Sequence, residues 1–191
     1  MVQKLAEGTR HRLLAAAERL LLSEPYDEVS VRAICAAAGT NPAAVHYHFG
    51  SKEALVGALI EDRLGPLWAA GMAEATGSRP DSVPALVDAV LAPFLDLAAD
   101  PVGRLHLRLL ARFVSGRHLT AWQGRWFRMD SWTGLLPQLS TGESRRRWML
   151  AFDLVIMRFG SPETEEHGMS ERAVATLRNF VVAGLTAPVQ E

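Results

Sequence analysis

The stretch SVRAICAAAGTNPAAVHYHFGSKEAL, residues 30 to 55, carries the pattern on which the fold turns. Ser30 is a favourable helix N-cap, and Val31, Ile34, Cys35 and Ala38 then recur at i, i+3, i+4 and i+7, one apolar stripe on a short helix. Gly39 stands where a left-handed residue would stop that helix. Only Thr40 and Asn41 intervene before Pro42, which suits a first helical position because it has no N–H to leave unpaired; Asn41 is the expected cap. Phe49-Gly50 closes this third helix, and Ser51 caps a fourth bearing Leu55, Ala58 and Leu59. Upstream, with Thr9 as the expected cap, Leu13, Ala16, Ala17, Leu20 and Leu21 form another helical stripe. It should end near Ser23, because Pro25 disfavours helical geometry at Glu24.

Two short helices joined by a glycine-containing turn and backed by a third make a helix-turn-helix. Val45 and Phe49, at i and i+4, can pin the helix from Pro42 to Phe49 against Val31, Ile34 and Cys35. Pro42, Ala43, Ala44, His46, Tyr47 and His48 are left flanking or facing outward. Small residues there would let a backbone approach a DNA major groove, which admits one helix, while imidazoles and a phenol reach phosphates or base edges. The same corner also occurs as plain packing in all-α chains, and charge does not choose between the two. Up to Leu55, Lys4, Arg10, Arg12, Arg19, Arg32 and Lys52 are balanced by Glu7, Glu18, Glu24, Asp27, Glu28 and Glu53.

The rest of the chain extends the helical pattern. Gly65-Pro66 should kink or break it, and Gly77 to Pro80 reads as a loop. Asp81 or Ser82 opens a helix through Phe94, and Asp100-Pro101 opens another through Phe113. After Gly116 comes an aromatic-rich stretch, His118 to Leu139. Two amphipathic helices follow, about Glu143–Phe159 and Ser170–Ala187, joined by a polar loop containing Gly160 and Pro162. No repeat or strand-period segment interrupts the pattern, so the fold class is all-α.

Composition sets the outer limits. The chain has 191 residues, 49% hydrophobic and 21% charged, which is enough apolar material for a sizeable core. No apolar run approaches the roughly 20 residues needed to cross a bilayer, and Met1 to Gly8 is too short and polar for a secretory signal, so no membrane partner and a cytoplasmic location are expected. A formal net charge of −1 gives no global pull toward nucleic acid. The single cysteine, Cys35, reads as inert packing, and no metal or cofactor is expected: His46 and His48 lie about 200° apart on a helix and cannot chelate one ion. Without a phosphate loop, a His-Glu-x-x-His or a nucleophile elbow, no enzyme activity is expected.

Residues 30 to 55, above all the run from Tyr47 to Leu55, closely resemble the DNA-binding domain of TetR-type transcriptional regulators, and the match extends over about Arg10 to Leu64. The resemblance implies about nine helices: an N-terminal helix-turn-helix domain, 1–55 with its motif at about 30–49, and a C-terminal domain, 56–191, for effector binding and dimerisation. It places base-reading positions on Arg32, Pro42, Ala43, Ala44 and His46, and phosphate anchors on Tyr47, His48 and Lys52, with Thr40 and Asn41 in the turn. Thr40 departs from the family's buried aliphatic residue and His46 from its tyrosine. Partners implied are a double-stranded DNA operator, a second copy of the chain and a small hydrophobic effector; the aromatic-rich C-terminal half faintly resembles the PsrA-like, fatty-acid-responsive branch.

For the effector, Phe94, His106, Phe113, Trp122, Trp126, Phe127 and Phe152 are candidate lining residues, although such rings also read as ordinary core. His106, Arg108, Arg112 and Asp153 could orient a ligand. The terminal helices offer Trp148, Val155, Val174, Leu177, Val181 and Leu185 as a homodimer face, or as a face buried within one chain. Arg145, Arg146 and Arg147 read as a solvated helix start. Regulation by a protein partner, or a helical enzyme or lipid carrier retaining the motif, are the competing readings.

Overall fold

The computed structural model describes residues 2–77, 82–116 and 122–189. Ten α-helices occur among them, with no strand: α1 Val2–Ser23, α2 Val31–Ala37, α3 Ala44–Phe49, α4 Lys52–Gly77, α5 Val83–Ala98, α6 Pro101–Ser115, α7 Asp130–Thr133, α8 Thr141–Phe159, α9 Pro162–His167 and α10 Glu171–Thr186. A 3-10 turn, Arg125–Phe127, precedes α7.

Most helix starts follow one local rule. A side-chain oxygen one residue before the helix accepts a hydrogen bond from a first-turn N–H, satisfying a donor that has no partner inside the helix. Ser30 does this for Ala33 (3.1 Å), Ser82 for Ala85 (3.4 Å), Ser140 for Glu143 (3.3 Å) and Ser170 for Ala173 (3.2 Å). Asp100 serves both Val102 (2.8 Å) and Gly103 (3.1 Å), with Pro101 in the first turn.

Three expectations about boundaries are corrected. Thr9 is not a cap: α1 begins at Val2 and runs through it, and Thr9 Oγ1 instead accepts from Arg12 Nη2 (3.2 Å). Gly65-Pro66 does not end α4, which continues to Gly77. An interior proline costs about 3 kcal/mol, but Leu55, Val56, Leu59, Ile60 and Leu64 before it and Trp68 and Met72 after it are all buried and hold the helix in place. The polar loop around Pro162 is the short helix α9, capped by Ser161 with Thr164 N–H as donor (3.3 Å). Residues 78–81, most of the expected Gly77–Pro80 loop, and 117–121, the start of the aromatic stretch, lie outside the described residues.

The chain divides into two compact units, Met1–Asp62 and Arg63–Glu191. The first has a core of Leu13, Leu14 and Ala17 from α1, Ile34 and Cys35 from α2, Val45 from α3 and Leu55 and Leu59 from α4. In the second, α5, α6, α8 and α10 pack around Phe94, Leu109, Trp148, Val155 and Val181. The end of α8 lies so close to α6 that a Cβ on Gly160 would sit 2.4 Å from Ala111 Cβ and 2.7 Å from the Leu107 oxygen. Arg178 of α10 forks onto Asp88 of α5 (2.5 and 2.7 Å), and these hydrogen bonds hold the Asp88 carboxyl below its ordinary range.

Candidate functional site

The turn between α2 and α3 is fixed by its own backbone. Gly39 takes φ +61°, where a side chain would be strained. From there its N–H reaches the Ala36 oxygen (3.1 Å) and the Thr40 N–H reaches the Cys35 oxygen (2.9 Å), the paired bonds of a Schellman motif. Thr40 Oγ1 donates to the same Cys35 oxygen (3.2 Å), so the hydroxyl at this usually aliphatic position is spent on the turn.

Asn41 behaves differently from expectation. Its Oδ1 accepts from the Ala43 N–H (2.8 Å), an Asx turn, and α3 starts at Ala44 rather than at Pro42. Asn41, Pro42 and Ala43 therefore stand exposed just ahead of the helix. Val45, 1% exposed, pins α3 from behind. Phe49 is half-buried with the Arg10 guanidinium 5.3 Å from its ring centre. Arg32, His46 and Tyr47 are exposed, Tyr47 at 83%. Ala44 and His48 are half-buried, and the His48 ring meets the Tyr47 ring edge-on at 5.0 Å. Arg32 on α2, Pro42 and Ala43 in the turn, and His46 and Tyr47 on α3 are thus all exposed.

Lys52 is the clear departure from the expected phosphate anchors. Its ammonium donates to the Tyr26 and Val29 carbonyls, both at 2.8 Å, and lies 4.3 Å from the Tyr26 ring centre. It ties the start of α4 to the segment joining α1 and α2. Beside it, Tyr26 Oη donates to Glu53 Oε1 (3.4 Å). The Glu53 carboxyl is held below its ordinary value, first by its own backbone N–H and then by Ser51.

In the second unit, Phe94, Trp122, Trp126, Phe127 and Phe152 line one cavity of about 120 Å³. Trp122 stacks on Phe127 with ring centres 4.7 Å apart. Trp68, Trp132, Met129 and Met149 also line it, as does Asp153. Phe113 does not reach the cavity and backs Trp122 at 6.1 Å, and His106 is buried on α6 away from it. Sequence reasoning passed over Met149 and Ile156; the spacing of Met149, Phe152, Asp153 and Ile156 along one helix was the available signal.

The expected dimer face is corrected. Trp148, Val155, Leu177, Val181 and Leu185 are at most 7% exposed inside a single chain, and Val174 is half-buried. These residues close the core of the chain that carries them. A second stripe remains outside: Leu150 (70% exposed), Leu154 and Met157 on α8, and Phe180 (68%) on α10. Arg147 is no solvated residue either. It is buried, donates from Nη1 to the oxygens of Gly184 (3.4 Å), Leu185 (3.3 Å) and Ala187 (2.5 Å), and pairs through Nε with Glu143 (2.7 Å).

Among the described residues, no three His, Cys, Asp or Glu side chains converge as a metal site, and no helix is long and apolar enough to cross a membrane.

Comparison with known proteins follows this geometry. Residues 13–59 match the sequence model of bacterial regulatory proteins of the TetR family. The transcriptional regulator UidR of Escherichia coli K12 is 37% identical over 59 residues, covering 31% of this chain and 30% of UidR, so the likeness spans under a third of that relative. Over nearly the whole chain, the fold is similar to that of NalD, described as the secondary repressor of the MexAB-OprM multidrug efflux pump in Pseudomonas aeruginosa. That pair has a TM-score of 0.63 at 20% identity and covers 94% of both chains. A TetR transcriptional regulator from Legionella pneumophila gives a TM-score of 0.55 at 21% identity, over 89% of this chain and 93% of that one.

Proposed function

We propose, on the match of residues 13–59 to the TetR-family model, that the chain is a homodimeric DNA-binding regulator, a repressor released from a palindromic operator by a small hydrophobic molecule. The observation that carries this reading is the exposed start of α3, held by the Schellman turn, with Ala43 and Pro42 small enough to let backbone approach base edges. Arg32, Ala43, Ala44 and His46 read bases, and Tyr47 and His48 reach phosphates. Lys52 contributes by holding the helices that present them.

With so little positive charge on this face, one copy gains little from phosphates alone, and two copies reading a two-fold site supply the remainder. The stripe of Leu150, Leu154, Met157 and Phe180 is an apolar surface that a second copy would cover. The ring-lined cavity is the effector site in this reading. An effector lowers operator affinity only by binding the two dimer states unequally, and a tenfold to hundredfold loss needs about 1.4 to 2.8 kcal/mol of that difference.

The test is footprinting of the purified chain on DNA flanking its own gene across a salt series. A protected two-fold-symmetric site with steep salt dependence is expected. Absence of protection at low salt, with protein refolded to strip any bound ligand, rejects the reading.

A further inference from the structure

We infer that the cavity of the second unit takes a compact aromatic cation, its apolar body among the rings and its positive charge at Asp153. The inference rests on the regulator reading only in treating the occupant as an effector. The cavity itself supplies the chemistry.

Its walls are unusually rich in π faces: Trp68, Phe94, Trp122, Trp126, Phe127 and Phe152 all line it. An aromatic face carries partial negative charge and attracts a cation within about 6 Å of the ring centre. Among the described residues that line it there is no lysine, arginine or histidine, and the charged side chain is Asp153. Asp153 lies on α8, where the residues three and four away on either side are Leu150, Met149, Ile156 and Met157, so its helix offers it no basic neighbour. It makes no ion pair or hydrogen bond among the described residues. An unpaired carboxylate and a cage of rings favour the same sign of ligand charge, and both disfavour an anion.

Exposure and size narrow the class. Asp153 and Met149 are exposed while Trp122, Phe94 and Trp132 are buried, so the carboxylate sits at the cavity's mouth and stays hydrated while the body is enclosed. The volume of about 120 Å³ is close to the roughly 150 Å³ that accommodates one benzene ring in an apolar protein cavity. One ring fills that volume with a small charged head at the open mouth, and the carboxylate of a fatty acid there would meet Asp153 with like charge.

The test uses the full chain at pH 7 and three probes of nearly one shape: benzyltrimethylammonium, its uncharged carbon analogue neopentylbenzene, and the anion 3-phenylpropanoate. Binding is read by calorimetry and by fluorescence of the cavity tryptophans. The cation should bind at least about tenfold more tightly than the neutral analogue, with the anion weakest. Asp153→Asn, a change at an exposed position, should reduce that preference to the part the rings supply and leave neutral binding as it was. Equal or tighter binding of the neutral or anionic probe, or a preference unchanged by Asp153→Asn, overturns the inference. Operator release is followed in parallel to separate the two readings. A cation that binds selectively but releases no DNA counts against effector-driven release and supports this ligand class. Release by the neutral or anionic probe alone does the reverse.

Discussion

Replacing Lys52 by methionine isolates what that residue does, because methionine keeps the apolar stem and removes only the ammonium. Three interactions disappear: hydrogen bonds to the Tyr26 and Val29 carbonyls, each 2.8 Å, and the contact with the Tyr26 ring at 4.3 Å. A hydrogen bond to a charged group contributes about 1.5 to 3 kcal/mol, and a partly exposed cation on a ring about 0.5 to 1 kcal/mol. Against this, freeing a lysine side chain returns up to about 2 kcal/mol of rotamer entropy. The half-buried setting weakens each bond further. The expected net loss is about 2 kcal/mol, confined to the first unit.

The choice of assay follows from the sequence. Every tryptophan lies at or beyond Trp68, in the second unit, so tryptophan fluorescence would miss the effect. Amide hydrogen exchange in α2 and the first turns of α4 reports it directly, as a protection loss of about thirtyfold for 2 kcal/mol. DNA binding should weaken alike for matched and mismatched sequences, and the salt slope should hold, because the ammonium faces the α1–α2 segment. If protection changes by less than about 0.5 kcal/mol while the slope falls by about 0.9 per protomer, the value of one lost phosphate contact, Lys52 is a phosphate anchor and the structural account is refuted.

Arg147→Met should lower the stability of the second unit by about 2 kcal/mol through its bonds to the end of α10, read by urea denaturation with tryptophan fluorescence. Hydrogen bonds from Arg147, then Arg146, hold the Glu143 carboxyl below 4.5. That contribution is complete above about pH 4.5 and lost as pH falls through the lowered value, so Arg147→Met should flatten the acid limb of stability against pH. Gly160→Ala forces a methyl to 2.4 Å from Ala111 Cβ and should cost about 2 kcal/mol by the same denaturation. Leu150→Glu with Phe180→Glu, both on exposed positions, should leave the thermal midpoint of a dilute sample nearly unchanged and yield a monomer in sedimentation. A double variant that still sediments as a dimer removes that stripe from the interface.

What was legible in the sequence was local. Ser30, Ser82, Asp100 and Ser170 act within three residues of themselves, and Gly39 is set by the turn it occupies. Periodicity found the helices for the same reason, and a resemblance concentrated in residues 30 to 55 found the family. What stayed hidden depends on partners far along the chain. Lys52 meets carbonyls 26 and 23 residues away, and Arg147 meets oxygens 37 to 40 residues away, so the first read as a phosphate anchor and the second as part of a solvated helix start. Pro66 reads as a break until the burial on either side of it is known. The terminal helices carry two apolar stripes, and periodicity alone does not say which of them closes the core; Val155, Leu177 and Val181 are buried, and Leu150 and Phe180 are exposed.

That division bears on how a ligand could act at a distance. Around α8, three faces do three things: Trp148, Ala151, Val155 and Phe159 are buried in the core; Met149, Phe152, Asp153 and Ile156 border the cavity; Leu150, Leu154 and Met157 are exposed. A helix turns about 100° per residue, so these faces are rigidly related and none can move alone. Filling the cavity presses on the second face, and the first is too close-packed to yield without cost, with Gly160 already admitting no added methyl against α6. Any shift of the second face must therefore carry the exposed third face with it. On the proposed reading, an effector would change the dimer by re-aiming Leu150, Leu154 and Met157 together with the rest of α8, and its coupling energy would be limited by how differently the cavity fits in the two positions of the helix. Enlarging the exposed stripe should strengthen dimerisation without altering ligand affinity, whereas loosening the α6–α8 contact should weaken both together.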